Sequence, residues 1–242
     1  MSEVDIKKLF ESGVHFGHKT ARWNPKMAKF IHSKRDDNHI IDLAQTVEKI
    51  KLSQEFVSEV VAKNKQILFV GTKKQAREIV RNAAESVGQP FVSERWLGGM
   101  LTNSNTIQSQ VKKLKLLEKR MATGELANRY NKLEVQRFQE EIDELNVKYG
   151  GIKNLKGKPG ALFVLDVVSD KNAVNEAIKI GIPVIGICDT NADPTGIDYV
   201  IPANDDAIAS ISLITEYIVD AIKAGENIAV KKSSDKIVKE EE

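Results

Sequence analysis

Cysteine is almost absent: Cys188 is the only one among 242 residues. A lone thiol forms no internal disulfide, which excludes a disulfide-stapled scaffold and favours a reducing compartment. Long hydrophobic runs are missing too. Apolar stretches such as Ile180 to Cys188 fall well short of the roughly 18 residues a membrane span needs. The opening MSEVDIKK is charged and does not read as a signal peptide, so a soluble cytoplasmic protein is expected. The phosphate-binding fingerprints GxGxxG and GxxxxGK[ST] do not occur. Neither do HxxxH or CxxC metal spacings, nor a GxSxG or Cys-His arrangement for a nucleophile. Catalysis therefore has little support.

A surplus of one charge sign is also lacking, since 36 Lys+Arg stand against 34 Asp+Glu for a formal +2. The balance is local rather than uniform. Met1 to Arg35 carries eight basic and three acidic residues, Ile107 to Lys156 eleven and seven, and Ala161 to Asp220 two and ten. A molecule polarised in this way suggests a polyanion on one side.

What is present reads as alternating strands and helices. Leu43, Val47, Ile50, Val57 and Val61 gather on one helical face within Asp42 to Lys63. The short run Gln66 to Val70 then ends at Gly71, and helical spacing resumes over Thr72 to Val87. The pattern recurs as Ala161 to Leu165 before helix Lys171 to Ile180, Pro183 to Cys188 before a Gly/Asp/Pro turn, and Tyr199 to Ile201 before helix Asp205 to Ala224. Continuous apolar strands flanked by helices imply an α/β fold with a doubly wound parallel sheet.

Between the halves the rhythm changes. Ile107, Val111, Leu114, Leu117 and Met121, then Val135, Phe138, Ile142, Leu145 and Tyr149, step by threes and fours, the spacing of coiled-coil seams. Gly124 lies where the chain could reverse, giving an antiparallel coiled-coil helical hairpin closed by Gly150-Gly151. The expected organisation is a discontinuous sheet domain over 1–106 and 151–225 with a basic N-terminal lead, a hairpin insertion over 107–150, and a disordered tail over 226–242.

Several stretches could carry chemistry. Gly71-Thr72-Lys73-Lys74 lies between strand and helix, where backbone N–H groups and lysines could hold a phosphate, or simply cap a turn. Asp189 to Pro194 follows a buried strand, the usual ligand position in open α/β sheets. Asp189 and Asp193, with Asp205 and His18, could hold a structural metal ion, although Asx-Pro turns are also ordinary loop chemistry. His15 and His18 could be a structural pair or RNA-facing donors. His18 to Phe30 mixes cations, amides and aromatics: Arg22 and Lys26 suit phosphates, Asn24 sugar or base edges, and Trp23 a stacking face. In Glu94 to Asn103, Arg95 can fork onto phosphate, the Gly98-Gly99 pair permits close backbone approach, and Thr102 or Asn103 can cap the next helix. Lys112 and Lys113 lie in a basic first arm of the hairpin.

Phe10 to His18, Arg22 to Met27, Leu68 to Lys73, Arg95 to Asn103, and Gly181 to Pro194, in this order, resemble the bacterial small-subunit ribosomal protein S2 family over residues 5 to 224. The resemblance implies a flavodoxin-like sheet with an inserted coiled-coil hairpin. It also implies a non-catalytic role with no required cofactor and no small-molecule substrate: binding 16S ribosomal RNA between head and body of the 30S subunit, beside neighbouring 30S proteins, and helping to dock ribosomal protein S1. Carried over by motif, the RNA-facing residues are Arg22, Trp23, Asn24, Lys26, Arg95, Gly98, Thr102 and Asn103, with Lys112 and Lys113 on the hairpin. The alternative is a flavodoxin-like enzyme or sensor binding a nucleotide or sugar phosphate at Gly71 to Lys74 and Asp189 to Asp193.

Overall fold

The computed structural model describes residues 3–240, the last ten as backbone. Five strands form one sheet: β4 (Ile67–Val70), β5 (Phe91–Val92), β6 (Ala161–Val164), β7 (Val184–Cys188) and β8 (Tyr199–Pro202), in the order β5-β4-β6-β7-β8. Every neighbouring pair is parallel. Counted within the sheet this is the 2-1-3-4-5 order of flavodoxin-like folds, with its switch point between the first and third strands, here β4 and β6.

Burial on both faces follows from the strands' composition. Along β4, Ile67 and Phe69 enter one apolar core while Leu68 and Val70 enter the other, as the two-residue period of a strand requires. The first core packs against α2 (Leu43–Ala62), α3 (Arg77–Ser86) and α8 (Ile208–Glu240), through side chains such as Ile50, Val80 and Ile218. The second packs against α7 (Lys171–Ile180) through Ala173, Val174 and Ala177, and takes in Trp96 and Met100. Phe69 and Phe163, both fully buried, meet edge-on with ring centroids 5.4 Å apart.

The basic lead is more structured than its polar sequence suggests. After α1 (Ile6–Glu11), β1 (Phe16–Lys19), β2 (Ile31–Arg35) and β3 (Asn38–Ile41) form a small antiparallel sheet of order β1-β3-β2. Arg35 pairs with Asn38, so Asp36 and Asp37 form the two-residue turn, both with positive φ, the geometry that matches the twist of a tight hairpin. The strands were hidden because β2 is exposed along nearly all its length and shows no alternation. The lead is tied down by Asn204, which donates its side-chain amide to the Gly13 carbonyl, and by Tyr217, whose hydroxyl accepts from the Asp5 amide.

The insertion is a helical hairpin of α4 (Ser104–Ala122) and α6 (Lys132–Tyr149), joined through α5 (Glu125–Arg129). Its first apolar stripe divides. Leu114, Leu117 and Met121 meet Ile142, Phe138 and Leu145 in the hairpin's own small core. Ile107 and Val111 pack instead against the sheet domain. Beyond it, α8 carries helical backbone through Glu240, where a disordered tail over 226–242 is expected from composition. Ala, Lys and Glu without proline favour that continuation; residues 241–242 lie outside the described residues.

Candidate functional site

In a parallel sheet all strands end on one edge, so the loops after β4, β5, β6, β7 and β8 emerge together. The lead crosses this edge. Asn24 donates its amide to the Thr190 carbonyl, and the His18 amide donates to Thr190 Oγ1 at 2.9 Å. A side chain on Gly17 would come within 2.5 Å of Thr190 Cγ2, so β1 lies this close only because residue 17 has none.

Beneath the lead is a compact charged cluster. Lys73 Nζ lies 2.7 Å from Asp205, 2.8 Å from Asp206 and 3.2 Å from Asp166. His18 reaches Asp189 at 3.0 Å through Nδ1 and Asp206 at 3.4 Å through Nε2. Asp170 accepts from the amide and hydroxyl of Thr72 at 3.1 and 2.8 Å. Burial, with Asp166 and Asp189 close by, pushes the Asp205 carboxyl up to about 7 against the pull of Lys73. Burial opposes the charge on Lys73, but its hydrogen bonds to Asp205 and Asp206 outweigh this and hold the ammonium above its ordinary range. The hydrogen bond to Asp189 raises His18.

This arrangement bears on the phosphate reading of Gly71 to Lys74. The Thr72 amide and hydroxyl already face Asp170, and Lys73 is enclosed by three carboxylates. A phosphate there would meet Asp166, Asp170, Asp205 and Asp206 at close range, a like-charge environment that disfavours it. Thr72 and Lys73 are thus engaged by the protein's own carboxylates.

The glycine-bearing loop after β5 is organised by a residue that sequence reasoning missed. Glu176, on α7, accepts from Trp96 Nε1 (3.1 Å), the Gly99 amide (2.7 Å), the Leu101 amide (3.0 Å), and the amide and hydroxyl of Thr102 (3.1 Å each). Burial opposes its charge, yet these donors prevail and hold the carboxyl below its ordinary range. Gly99, at φ +87°, provides the left-handed turn that aims the amides inward. The loop's donors thus face a carboxylate, while Arg95 and Gly98 remain exposed.

The comparison with protein families decides what kind of protein carries this edge: a family model described as Ribosomal protein S2 matches residues 9–225. The chain belongs to the ribosomal protein S2 family. Ribosomal protein S2 is a structural constituent of the small ribosomal subunit and serves in translation. No helix among the described residues is long and apolar enough to cross a membrane.

The residues expected at RNA are brought only partly together. Arg22 and Trp23 are exposed on the lead, Trp23 packing against His39 at 5.2 Å between ring centroids. Asn24 caps the following turn through Oδ1, which accepts from the Lys26 amide. Lys26 Nζ binds Asp193 at 2.9 Å and Thr195 at 2.7 Å, and hydrogen bonds from Thr195 and Lys26 pull the Asp193 carboxyl down to about 2. Asn103 accepts from the Thr106 hydroxyl. Lys112 and Lys113 are exposed on the hairpin, Lys113 in an ion pair with Glu141.

Of the four metal candidates, His18, Asp189 and Asp205 converge, with donor atoms within 4.8 Å of one another. Asp193 is held elsewhere by Lys26. One imidazole and two carboxylates suit a borderline cation such as zinc, and Lys73 supplies a resident positive charge at one of them, Asp205. Asp166 and Asp206 escaped notice in the sequence. A partial signal existed for Asp166, which follows its apolar strand much as Asp189 follows its own.

Proposed function

We propose that this chain is a non-catalytic scaffold of the small subunit that binds 16S ribosomal RNA between head and body and helps to dock ribosomal protein S1, in the cytoplasm. The single observation that carries this reading is the family match over residues 9–225. The geometry supports it: Arg22, Trp23 and Arg95 are exposed on the lead and the strand-end loops, while Lys73 is engaged by Asp166, Asp205 and Asp206. Arg22 and Arg95 neutralise phosphates, and Trp23 offers a stacking face. Exposed Lys26, Thr102 and Asn103 and half-buried Asn24 flank these residues on the same segments and add polar contacts to RNA; Gly98 leaves room for close approach. No cofactor is required in this reading. A structural cation, where one binds, is held by His18, Asp189 and Asp205.

Filter binding of the full chain to a 16S RNA transcript across a salt series tests the RNA contact. Arg22→Ala with Arg95→Ala is expected to weaken binding and to reduce the slope of log affinity against log salt by about two. An unchanged slope would show that this surface does not face RNA.

A further inference from the structure

The division of the α4 stripe leaves a groove where the hairpin meets the sheet domain. Its volume is about 590 Å³. Leu101 and Ile152 are buried in its floor, and half-buried Ile107, Val111, Leu155 and Ile180 turn their remaining surface into it. Along α4 the lining residues are Ser104, Ile107, Gln108, Val111, Lys112 and Lys115. These recur at three- and four-residue spacing, one face of about three helical turns, or roughly 16 Å. That length suits a polypeptide segment better than a compact small ligand.

The rim has one sign. Lys112, Lys115, Lys153 and Lys158 line the groove, and no Asp or Glu does. Lys153 is paired outside this lining with Glu118, and Lys158 donates to the Ile180 carbonyl; Lys112 and Lys115 project from exposed positions. Its apolar side chains are Met, Leu, Ile, Val and Pro, without an aromatic ring. Unpaired RNA would use the lysines but find no stacking platform, because its bases are held on aromatic faces, and duplex RNA, bound through phosphates and 2′-hydroxyls, would leave the aliphatic surface unused. An acidic segment bearing aliphatic side chains would use both features at once.

We infer that this groove docks an acidic amphipathic segment of a partner protein, its aliphatic face on Ile107 and Val111 and its carboxylates on Lys112 and Lys115. The inference goes beyond the RNA reading and moves Lys112 from an RNA contact to a protein contact. It depends on the S2 assignment only for supplying a setting in which partner proteins are close.

The test is fluorescence anisotropy of the full chain with a labelled helical peptide carrying leucines on one face and glutamates elsewhere. A counterpart with lysine for glutamate and an unlabelled oligouridine serve as the other probes. The acidic peptide should bind saturably, and the lysine peptide at least about tenfold more weakly. Lys112→Glu with Lys115→Glu, at exposed positions, and Val111→Glu should each weaken binding by about tenfold. Ile107→Gln gives a milder floor change should Val111→Glu lower the melting temperature. Equal binding of the two peptides, indifference to both floor variants, displacement of the peptide by oligouridine, or no saturable binding would each overturn the inference. The Arg22→Ala, Arg95→Ala chain should bind the peptide normally, so failure here and failure of the RNA reading are separable.

Discussion

The indole Nε1 of Trp96 donates to the Glu176 carboxylate at 3.1 Å across eighty residues of chain. The same carboxylate gathers the amides of Gly99, Leu101 and Thr102, so a loop with no regular structure of its own is anchored to α7. Exposed Arg95 and Gly98 thereby take fixed positions at the strand-end edge.

Glu176→Ala should cost about 3 kcal/mol, since it leaves several loop donors facing a cavity. Glu176→Gln should cost less, because an acceptor oxygen remains. A urea titration of each variant, followed by Trp fluorescence, checks the order. Because the folded carboxyl is held below its ordinary 4.5, its contribution is present above that value and lost as the pH falls through the folded pKa. The stability gap between wild type and Glu176→Gln should therefore narrow on acidification below about pH 4.5.

Lys73→Met removes the cation shared by Asp166, Asp205 and Asp206. Breaking a buried pair from one side typically costs about 3–5 kcal/mol, and a loss of that order is expected. Adding Asp205→Asn should recover part of it, because one of the uncompensated carboxylates is gone. A double-mutant cycle by chemical denaturation at neutral pH measures the coupling. Additive losses would show that Lys73 and Asp205 do not act as a pair.

How much of this was legible in the sequence differs by element. The α/β class was open to reading because β4, β6 and β7 are continuous apolar runs that only a doubly covered sheet accommodates. The hairpin was visible through its three- and four-residue spacing, but the spacing of Ile107 and Val111 is the same whether they face a helix or a sheet domain. Two-residue β5 is too short to register as a pattern. Glu176 was illegible for another reason: its role depends on partners 74 to 80 residues away, and a lone acid on a helix looks like solvated surface. Arg22 and Trp23 were legible as candidates because cations and an indole cluster in a segment broken by Pro25, and Arg95 because it adjoins Trp96 and the Gly98-Gly99 pair. The capping role of Asn24 and the pairing of Lys26 with Asp193 emerge only once the lead lies on the β7–β8 loop.

Calorimetry with nucleotides and sugar phosphates should give no saturable heat at Gly71 to Lys74. The reason is the ring of Asp166, Asp170, Asp205 and Asp206 about Thr72 and Lys73. A stoichiometric isotherm abolished by Lys73→Met would restore the small-ligand reading.

Zinc titration of the dialysed full chain tests the cation proposal apart from RNA. Binding should fall at least about tenfold in His18→Ala, which removes one of three convergent donors, and be unaffected by Asp193→Asn, since Asp193 is held by Lys26. Equal sensitivity to both variants would mean a different donor set.

The central claim, that this chain is a structural member of the small ribosomal subunit, is tested most directly by sedimenting the tagged chain with 30S subunits on a sucrose gradient. The wild-type chain should migrate with the 30S peak in constant proportion to it, and the Arg22→Ala, Arg95→Ala chain should dissociate from it at lower salt. Wild-type protein remaining at the top of the gradient would contradict the account.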